Sequence, residues 1–194
     1  MNINILLFDN FETLDIFGPI EILGRIKDYK INYYSENGGI IINSQNLKVE
    51  TEPFSSIDKS GILVIPGGMG TRSLVDNTSF LHKLKEIAEE SAYCLSICTG
   101  SAVLAKCGIL KNKRATSNKQ AFDWVKSVDN TVNWVKKARW TVDGKYYTSS
   151  GVSAGMDMTL GFVADRFGKD KAAQICKDIE YIWNDDNSND LFAI

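Results

Sequence analysis

Histidine is almost missing from this chain. The 194 residues contain one histidine, three prolines and four cysteines. A metal centre with several histidine ligands is therefore excluded, and any Ser–His or Cys–His catalysis would have to use His82. His82 follows Leu81 on the flank of the apolar stripe of a predicted helix, so we interpret it as a surface or structural residue.

Long apolar runs and clusters of basic residues are also missing. No stretch approaches the roughly 20 apolar residues that span a bilayer, and the apolar start of the chain lacks the basic lead-in of a signal peptide. The net charge is −2, and no cluster of lysine or arginine suits nucleic acid. We therefore expect a cytoplasmic protein that binds a small-molecule substrate, and neither a membrane nor nucleic acid.

The four cysteines do not form a Cys-x-x-Cys motif. They are Cys94, Cys98, Cys107 and Cys176. A reducing cytoplasm keeps such residues as thiols, so neither a disulfide scaffold nor a zinc site is predicted. We expect no cofactor and no metal ion.

Short apolar runs alternate with amphipathic segments along the chain. Continuous apolar runs such as 61–66 and 93–97 are typical of strands that are buried on both faces of a parallel sheet. Helices are predicted at 13–26, 79–91, 99–108, 120–127, 153–167 and 170–183. The alternation predicts an α/β sandwich with a largely parallel sheet. Residues 184–194 are expected to form a polar C-terminal tail that frays.

Cys98 lies where an apolar strand is expected to turn abruptly into a helix. Ligands of such folds gather at the carboxyl ends of the strands, and a sharp turn there would expose the sulfur, as in the nucleophile elbow of hydrolases. The free N–H groups at the start of the helix favour a thiolate, which predicts a lowered pKa for the Cys98 thiol. The amides of Gly68 and Thr99 are candidates to receive developing negative charge at the same place.

The alternative for Cys98 is a small residue of the core, which free cysteine often is. We interpret the other three cysteines in this way. Cys94 alternates within a predicted strand, and Cys107 and Cys176 fall within predicted helices.

The second candidate is Asp15, four residues before Pro19. Proline cannot donate a hydrogen bond to the carbonyl four residues back, so a local distortion is expected beside this carboxyl. Burial among apolar neighbours would raise the pKa of Asp15, which would then act as a general acid, or as a base once ionised. From the local sequence alone, it is equally possible that Asp15 caps the helix.

Four segments, in this order and spacing, resemble the ThiJ/PfpI superfamily. They are Leu14-Asp15-x-x-Gly18-Pro19, Leu63-Val-Ile-Pro-Gly-Gly68, Ile97-Cys-Thr-Gly-Ser101 and Gly151-Val-Ser-Ala-Gly-Met-Asp157. The resemblance runs from Ile5 to about Tyr181. It implies a single domain over residues 1–183 with the flavodoxin-like, three-layer α/β fold of class I glutamine amidotransferases. It also implies a homodimer.

An aspartate in the first helix and Cys-Thr-Gly at the turn resemble the isonitrile hydratase branch of that superfamily. The resemblance implies that Cys98 is the nucleophile, Asp15 the acid and base, and Thr99 an assisting residue. The amide of Gly68 would belong to the oxyanion hole. The implied activity is that of a lyase, which hydrates an isonitrile to an N-substituted formamide through a thioimidate on Cys98.

One segment departs from that branch. After Arg114-Ala-Thr116, relatives often continue Thr-His-Trp, whereas this chain has Ser117-Asn118-Lys119. The missing histidine argues against a protease or amidase with a Cys–His pair, and it leaves the R group of the substrate open.

Two other functions belong to different classes. A reactive thiol also suits a stress or redox-responsive protein that acts through oxidation of Cys98, and the same superfamily includes such proteins. A transcriptional regulator with an added helix-turn-helix module is disfavoured, because the predicted domain takes up nearly all 194 residues.

Overall fold

Strands and helices alternate through most of the computed structural model, which describes residues 1–193. The strands are β1 (Asn2–Leu6), β2 (Lys30–Ser35), β3 (Asn37–Ile42), β4 (Lys48–Pro53), β5 (Ile62–Ile65), β6 (Tyr93–Ser96), β7 (Arg114–Ala115), β8 (Asn133–Trp134), β9 (Trp140–Asp143) and β10 (Tyr146–Ser149). The helices are α1 (Thr13–Leu23), α2 (Thr71–Leu74), α3 (Thr78–Glu90), α4 (Gly100–Lys106), α5 (Phe122–Val128), α6 (Ala154–Phe167) and α7 (Lys169–Asp178).

The central sheet has eight strands in the order β3-β4-β2-β1-β5-β6-β10-β9. Its inner pairs are parallel, and only the two edge pairs, β3 with β4 and β9 with β10, are antiparallel. Every residue of β5 is buried, as its apolar run predicted. The predicted α/β class with a largely parallel sheet is confirmed.

The helices form two groups that cover the sheet. One group consists of α1, α6 and α7, and in the other α4 contacts α2, α3 and α5. Because the central strands are buried on both faces, the two groups lie on opposite sides. None of the helices in the described chain combines the length and apolar character needed to cross a bilayer.

Gly18 and Pro19 fit α1 against α6. A β carbon on Gly18 would lie 2.5 Å from Cγ of Met156, so the absence of a side chain permits this close packing. Pro19 lies inside α1 and cannot donate to the carbonyl of Asp15. The two residues therefore fix how the Asp15 turn of α1 sits in the fold.

The last helix is shorter than its amphipathic pattern predicts. It ends at Asp178 rather than at 183, and Glu180 takes a left-handed φ of 52°. The hydroxyl of Tyr181 then donates to Oδ1 of Asp157 at 3.1 Å, and the indole N–H of Trp183 donates to the Asp157 carbonyl at 3.1 Å. These aromatic side chains supply contacts that continuation of the helix would lose.

Residues 184–190 of the polar tail contact the rest of the domain. The carbonyl of Asn187 accepts the backbone N–H of Arg139 at 2.9 Å, and the side chain of Asp190 is buried. Arg139 also forms a buried ion pair with Asp157, with Nε 2.7 Å from Oδ2. A buried pair needs further hydrogen bonds to offset its desolvation, and the tail supplies polar groups around it.

Candidate active site

Cys98 lies in the turn between β6 and α4, at the carboxyl edge of the sheet. Its φ is 56°, a left-handed conformation that costs a residue other than glycine about 1–3 kcal/mol. Surrounding contacts must hold such a turn in place. The residue that the sequence singled out as the nucleophile therefore has a strained backbone.

Three serines anchor the backbone of Cys98. The carbonyl of Cys98 accepts the hydroxyls of Ser117 at 2.7 Å and Ser101 at 3.1 Å. Its N–H donates to the carbonyl of Ser150 at 3.2 Å. Ser117 opens the segment that departs from the related branch, so its contact with the turn is a role that the sequence did not reveal.

Gly67 and Gly68 bring the end of β5 against this turn. A β carbon on Gly67 would lie 2.5 Å from the amide nitrogen of Thr99 and 2.8 Å from Cβ of Cys98, which only glycine avoids. Gly68 has a φ of 119°, and its N–H donates to the hydroxyl of Thr99 at 3.1 Å. The predicted oxyanion donor is thus already engaged, and a bound intermediate would have to replace or share that hydroxyl.

The carboxyl of Asp15 is fully buried beside the same glycines. Its Oδ2 accepts the N–H of Gly67 at 2.7 Å, while Oδ1 has no hydrogen bond of good geometry within residues 1–193. Helix α1 begins at Thr13 with Glu12 in the capping position. The capping alternative for Asp15 is therefore wrong, because its side chain reaches across to the end of β5.

Burial raises the pKa of Asp15 from 3.8 to about 8. The hydrogen bond from the N–H of Gly67 lowers the pKa, and the charge of Glu12 raises it. Hydrogen bonding with the thiol of Cys98 also lowers it, but burial has the largest effect. The direction is the one that the sequence predicted from burial. Near neutral pH the carboxyl is mainly protonated, so it holds a proton that it can donate.

The Cys98 thiol has a raised pKa, which corrects the prediction of a lowered one. Burial raises it most, and the negative charge of Asp15 raises it further. The amides of Thr99 and Val152 and the hydroxyl of Thr99 lower it, but do not offset the first two effects. The helix terminus does favour a thiolate, yet the side chain is only 6% exposed and faces a carboxyl.

Val152 is a site residue that the sequence analysis missed. Its backbone N–H lowers the pKa of the Cys98 thiol, which places it near the sulfur, and its φ is 46°. A left-handed conformation is rare and strained for a β-branched residue. The signal was available only as the segment from Gly151 to Asp157 in the family resemblance.

Cys98 opens into a cavity of about 410 Å³. The other lining residues are Glu12, Gly68, Met69, Arg72, Thr99, Asn118, Gln120, Ala121 and Val152. Asn118 packs against Gly151 and also lines an adjoining cavity of about 510 Å³. Lys119 lines only the second cavity, and its Nζ donates to the carbonyl of Ala138 at 2.6 Å.

The remaining titratable candidates lie elsewhere. The side chain of His82 is 76% exposed on α3, as interpreted from the sequence. Cys94 and Cys107 are buried, whereas Cys176 is only partly buried. Within residues 1–193, no three side chains of the metal-binding types are grouped so as to hold an ion.

Replacing Asp15 with asparagine is expected to stabilise the fold increasingly as pH rises. The carboxyl has its ordinary pKa of 3.8 when unfolded and about 8 when folded, so wild-type stability falls as pH increases between these values. Asparagine is neutral throughout and avoids that loss. The measurement is urea unfolding of both proteins at about pH 5 and about pH 9.

Asp76→Asn is the matched control, because Asp76 is exposed. Its difference from wild type should stay constant between the two pH values. A constant difference for Asp15→Asn as well would contradict the raised pKa of the buried carboxyl.

The chain was compared with protein families, curated proteins and solved structures, and each comparison found related proteins. Residues 1–165 match the model of the DJ-1/PfpI family. Isonitrile hydratase from Pseudomonas putida is 28% identical over 182 residues, which cover 93% of this chain and 78% of that protein. A THiJ/PfpI family protein from Pseudomonas syringae has a TM-score of 0.85 at 25% identity, and the match covers 93% of this chain and 74% of that protein. Drosophila melanogaster DJ-1beta shares the fold, with a TM-score of 0.79 at 20% identity and coverage of 94% and 98%.

Proposed function

Because this chain belongs to the DJ-1/PfpI family, we propose that it is a hydratase that converts an isonitrile into an N-substituted formamide. The observation that carries the proposal is the buried pair of the Cys98 thiol and the Asp15 carboxyl, which shifts the pKa of both groups. The pair adjoins a cavity large enough for a small molecule. Similarity to an isonitrile hydratase supports the substrate class.

The reactive form holds one proton between the two groups. When that proton lies on Asp15, Cys98 is a thiolate next to a neutral acid. The thiolate attacks the terminal carbon of R–N≡C and forms a C–S bond, while Asp15 donates its proton to the same carbon. The product is the thioimidate R–N=CH–S on Cys98, and Asp15 is left as a carboxylate.

Water then adds to the thioimidate carbon. The Asp15 carboxylate takes a proton from the water as the C–O bond forms, and it passes this proton to the nitrogen. The resulting tetrahedral adduct is R–NH–CH(OH)–S on Cys98. The unpaired Oδ1 of Asp15 is the oxygen available for this transfer, since Oδ2 is occupied by the N–H of Gly67.

Collapse of the adduct restores the starting pair. The C–S bond breaks, the hydroxyl proton returns to Asp15, and R–NH–CHO leaves. Sulfur departs as a thiolate, and the amides of Thr99 and Val152 stabilise its charge. One isonitrile and one water give one formamide, with no other reactant consumed.

The direct test is formation of N-cyclohexylformamide from cyclohexyl isocyanide, followed by nuclear magnetic resonance. We expect a rate proportional to protein concentration. A panel of isonitriles that yields no formamide, while a panel of glyoxals is turned over, would replace this proposal with another reaction of the same thiol.

The redox alternative is less well supported. Oxidation by peroxide requires an accessible thiolate, whereas burial and the charge of Asp15 raise the pKa of Cys98. The hydratase needs a thiolate only during the reaction, and transfer of the proton from Cys98 to the adjacent Asp15 supplies it.

We also propose a homodimer. Apolar side chains are exposed on α1 and β3, including Phe17, which is 43% exposed, and Ile40, which is 63% exposed. Asn43, which directly follows β3, donates from Nδ2 to the hydroxyl of Thr13 on α1 at 2.6 Å, so the end of β3 lies beside the start of α1. Sedimentation equilibrium should give twice the chain mass of 21.6 kDa. A monomer mass across micromolar concentrations would contradict the dimer.

A further inference from the structure

Arg72 gives the cavity a positive charge that the proposed reaction does not use. Its guanidinium is half-buried and lies over the ring of Trp124, 4.0 Å from the centroid. The guanidinium donates to the hydroxyl of Thr71 at 3.2 Å and to the carbonyl of Gly68 at 3.4 Å. These acceptors are neutral, and within residues 1–193 no carboxylate forms an ion pair with Arg72.

The position of Arg72 is tied to the reacting groups. The hydroxyl of Thr71 donates to the carbonyl of Gly68 at 2.7 Å and contacts the hydroxyl of Thr99 at 3.1 Å. The contact with the Trp124 ring and the two hydrogen bonds hold the guanidinium in place, so little freedom is left to lose when a ligand binds. Burial lowers the pKa of Arg72, and a negative charge on Cys98 raises it, which places the two groups within electrostatic reach.

We propose that Arg72 binds a carboxylate on the R group of the substrate. This inference rests on the proposed function for the identity of the reacting end, because an isonitrile carbon at the sulfur leaves R inside the shared cavity. A guanidinium matches the two oxygens of a carboxylate with parallel hydrogen bonds. Within the described part of the chain, Arg72 is the single cation lining this cavity.

The other lining residues limit the charge of that group. Glu12 lies in the same cavity and opposes a second negative charge. Asn118 and Gln120 add neutral amides beside it. A singly charged carboxylate therefore suits the cavity better than a phosphate does.

The first experiment compares isocyanoacetate with its methyl ester as substrates. For wild type we expect a higher kcat/KM with the acid. Arg72→Gln should lower kcat/KM for the acid about 10- to 100-fold more than for the ester, the effect of losing a charged hydrogen bond. Arg72→Lys keeps the positive charge but lacks the planar guanidinium, so it should retain part of the preference for the acid over the ester.

The second experiment does not depend on hydration. Iodoacetate and iodoacetamide both alkylate the sulfur of Cys98 with loss of iodide, but only the first carries a carboxylate. Because both reagents react with the same sulfur, a change in the reactivity of the thiol alters both rate constants equally and leaves their ratio unchanged. Arg72→Gln should lower the iodoacetate-to-iodoacetamide ratio at least about 10-fold.

Lys111→Gln is the matched control, since Lys111 is exposed and does not line the cavity. It should leave the ratio unchanged. An equal ratio in wild type and Arg72→Gln would overturn the carboxylate site. A lowered ratio in a protein that hydrates no isonitrile would retain the site and reject the hydratase.

Discussion

Replacing Cys98 with alanine is expected to lower isonitrile turnover more than about 10⁴-fold, beyond the loss for the general acid and base alone. The variant has no atom that can form the thioimidate, so the remaining groups can only orient water and substrate. Initial rates of N-cyclohexylformamide formation measure the effect. Cys98→Ser keeps the size of the side chain and is expected to lose turnover as well, because a hydroxyl is a far weaker nucleophile at neutral pH.

Two controls separate chemistry from folding. Cys176→Ala removes a partly buried thiol on α7, away from the cavity lining, and should retain wild-type turnover. Mass spectrometry of the intact protein should show a transient adduct with the mass of the isonitrile on wild type and none on Cys98→Ala. Wild-type turnover by a folded Cys98→Ala variant would rule out the covalent mechanism.

Asp15→Asn is expected to lose about 10²- to 10⁴-fold in turnover, the usual contribution of a general acid and base. The amide still accepts the N–H of Gly67 through its oxygen, so the loss reports proton transfer rather than position. Water addition also needs Asp15. The covalent adduct on Cys98 should therefore last longer in this variant than in wild type.

The pH profile tests the same carboxyl. The reactive form of the pair holds one proton. It arises when the fully protonated pair, which holds two, loses its first proton near the raised Asp15 pKa of about 8. Wild-type kcat/KM should consequently increase as pH rises toward about 8 and then level off. Asp15→Asn should lack this inflection.

Glu12→Gln provides the internal check. The charge of Glu12 raises the pKa of Asp15, so its removal should move the inflection to lower pH. An inflection that stays at the same pH in Asp15→Asn would show that another group controls the rate.

Much of the fold was readable from local patterns. The apolar run of β5 predicted a strand buried on both faces, and the end of the next apolar run predicted that the chain turns at Cys98 into a helix. Asp15 was predicted to have a raised pKa from its apolar neighbours, and the structure agrees. These properties depend on residues adjacent in sequence or repeated with the period of a strand or helix.

The sequence alone thus determined the α/β class, the largely parallel sheet and the edge at which the candidate nucleophile lies. Only the tertiary structure decided the direction of the pKa shift of the Cys98 thiol, the influence of the Val152 amide on it and the place of Arg72 in the cavity. Asp15, Arg72, Cys98 and Val152 come from four segments that are far apart in the sequence. The pKa of a buried group sums burial and charge over all its neighbours in space, and no local sequence pattern records that sum.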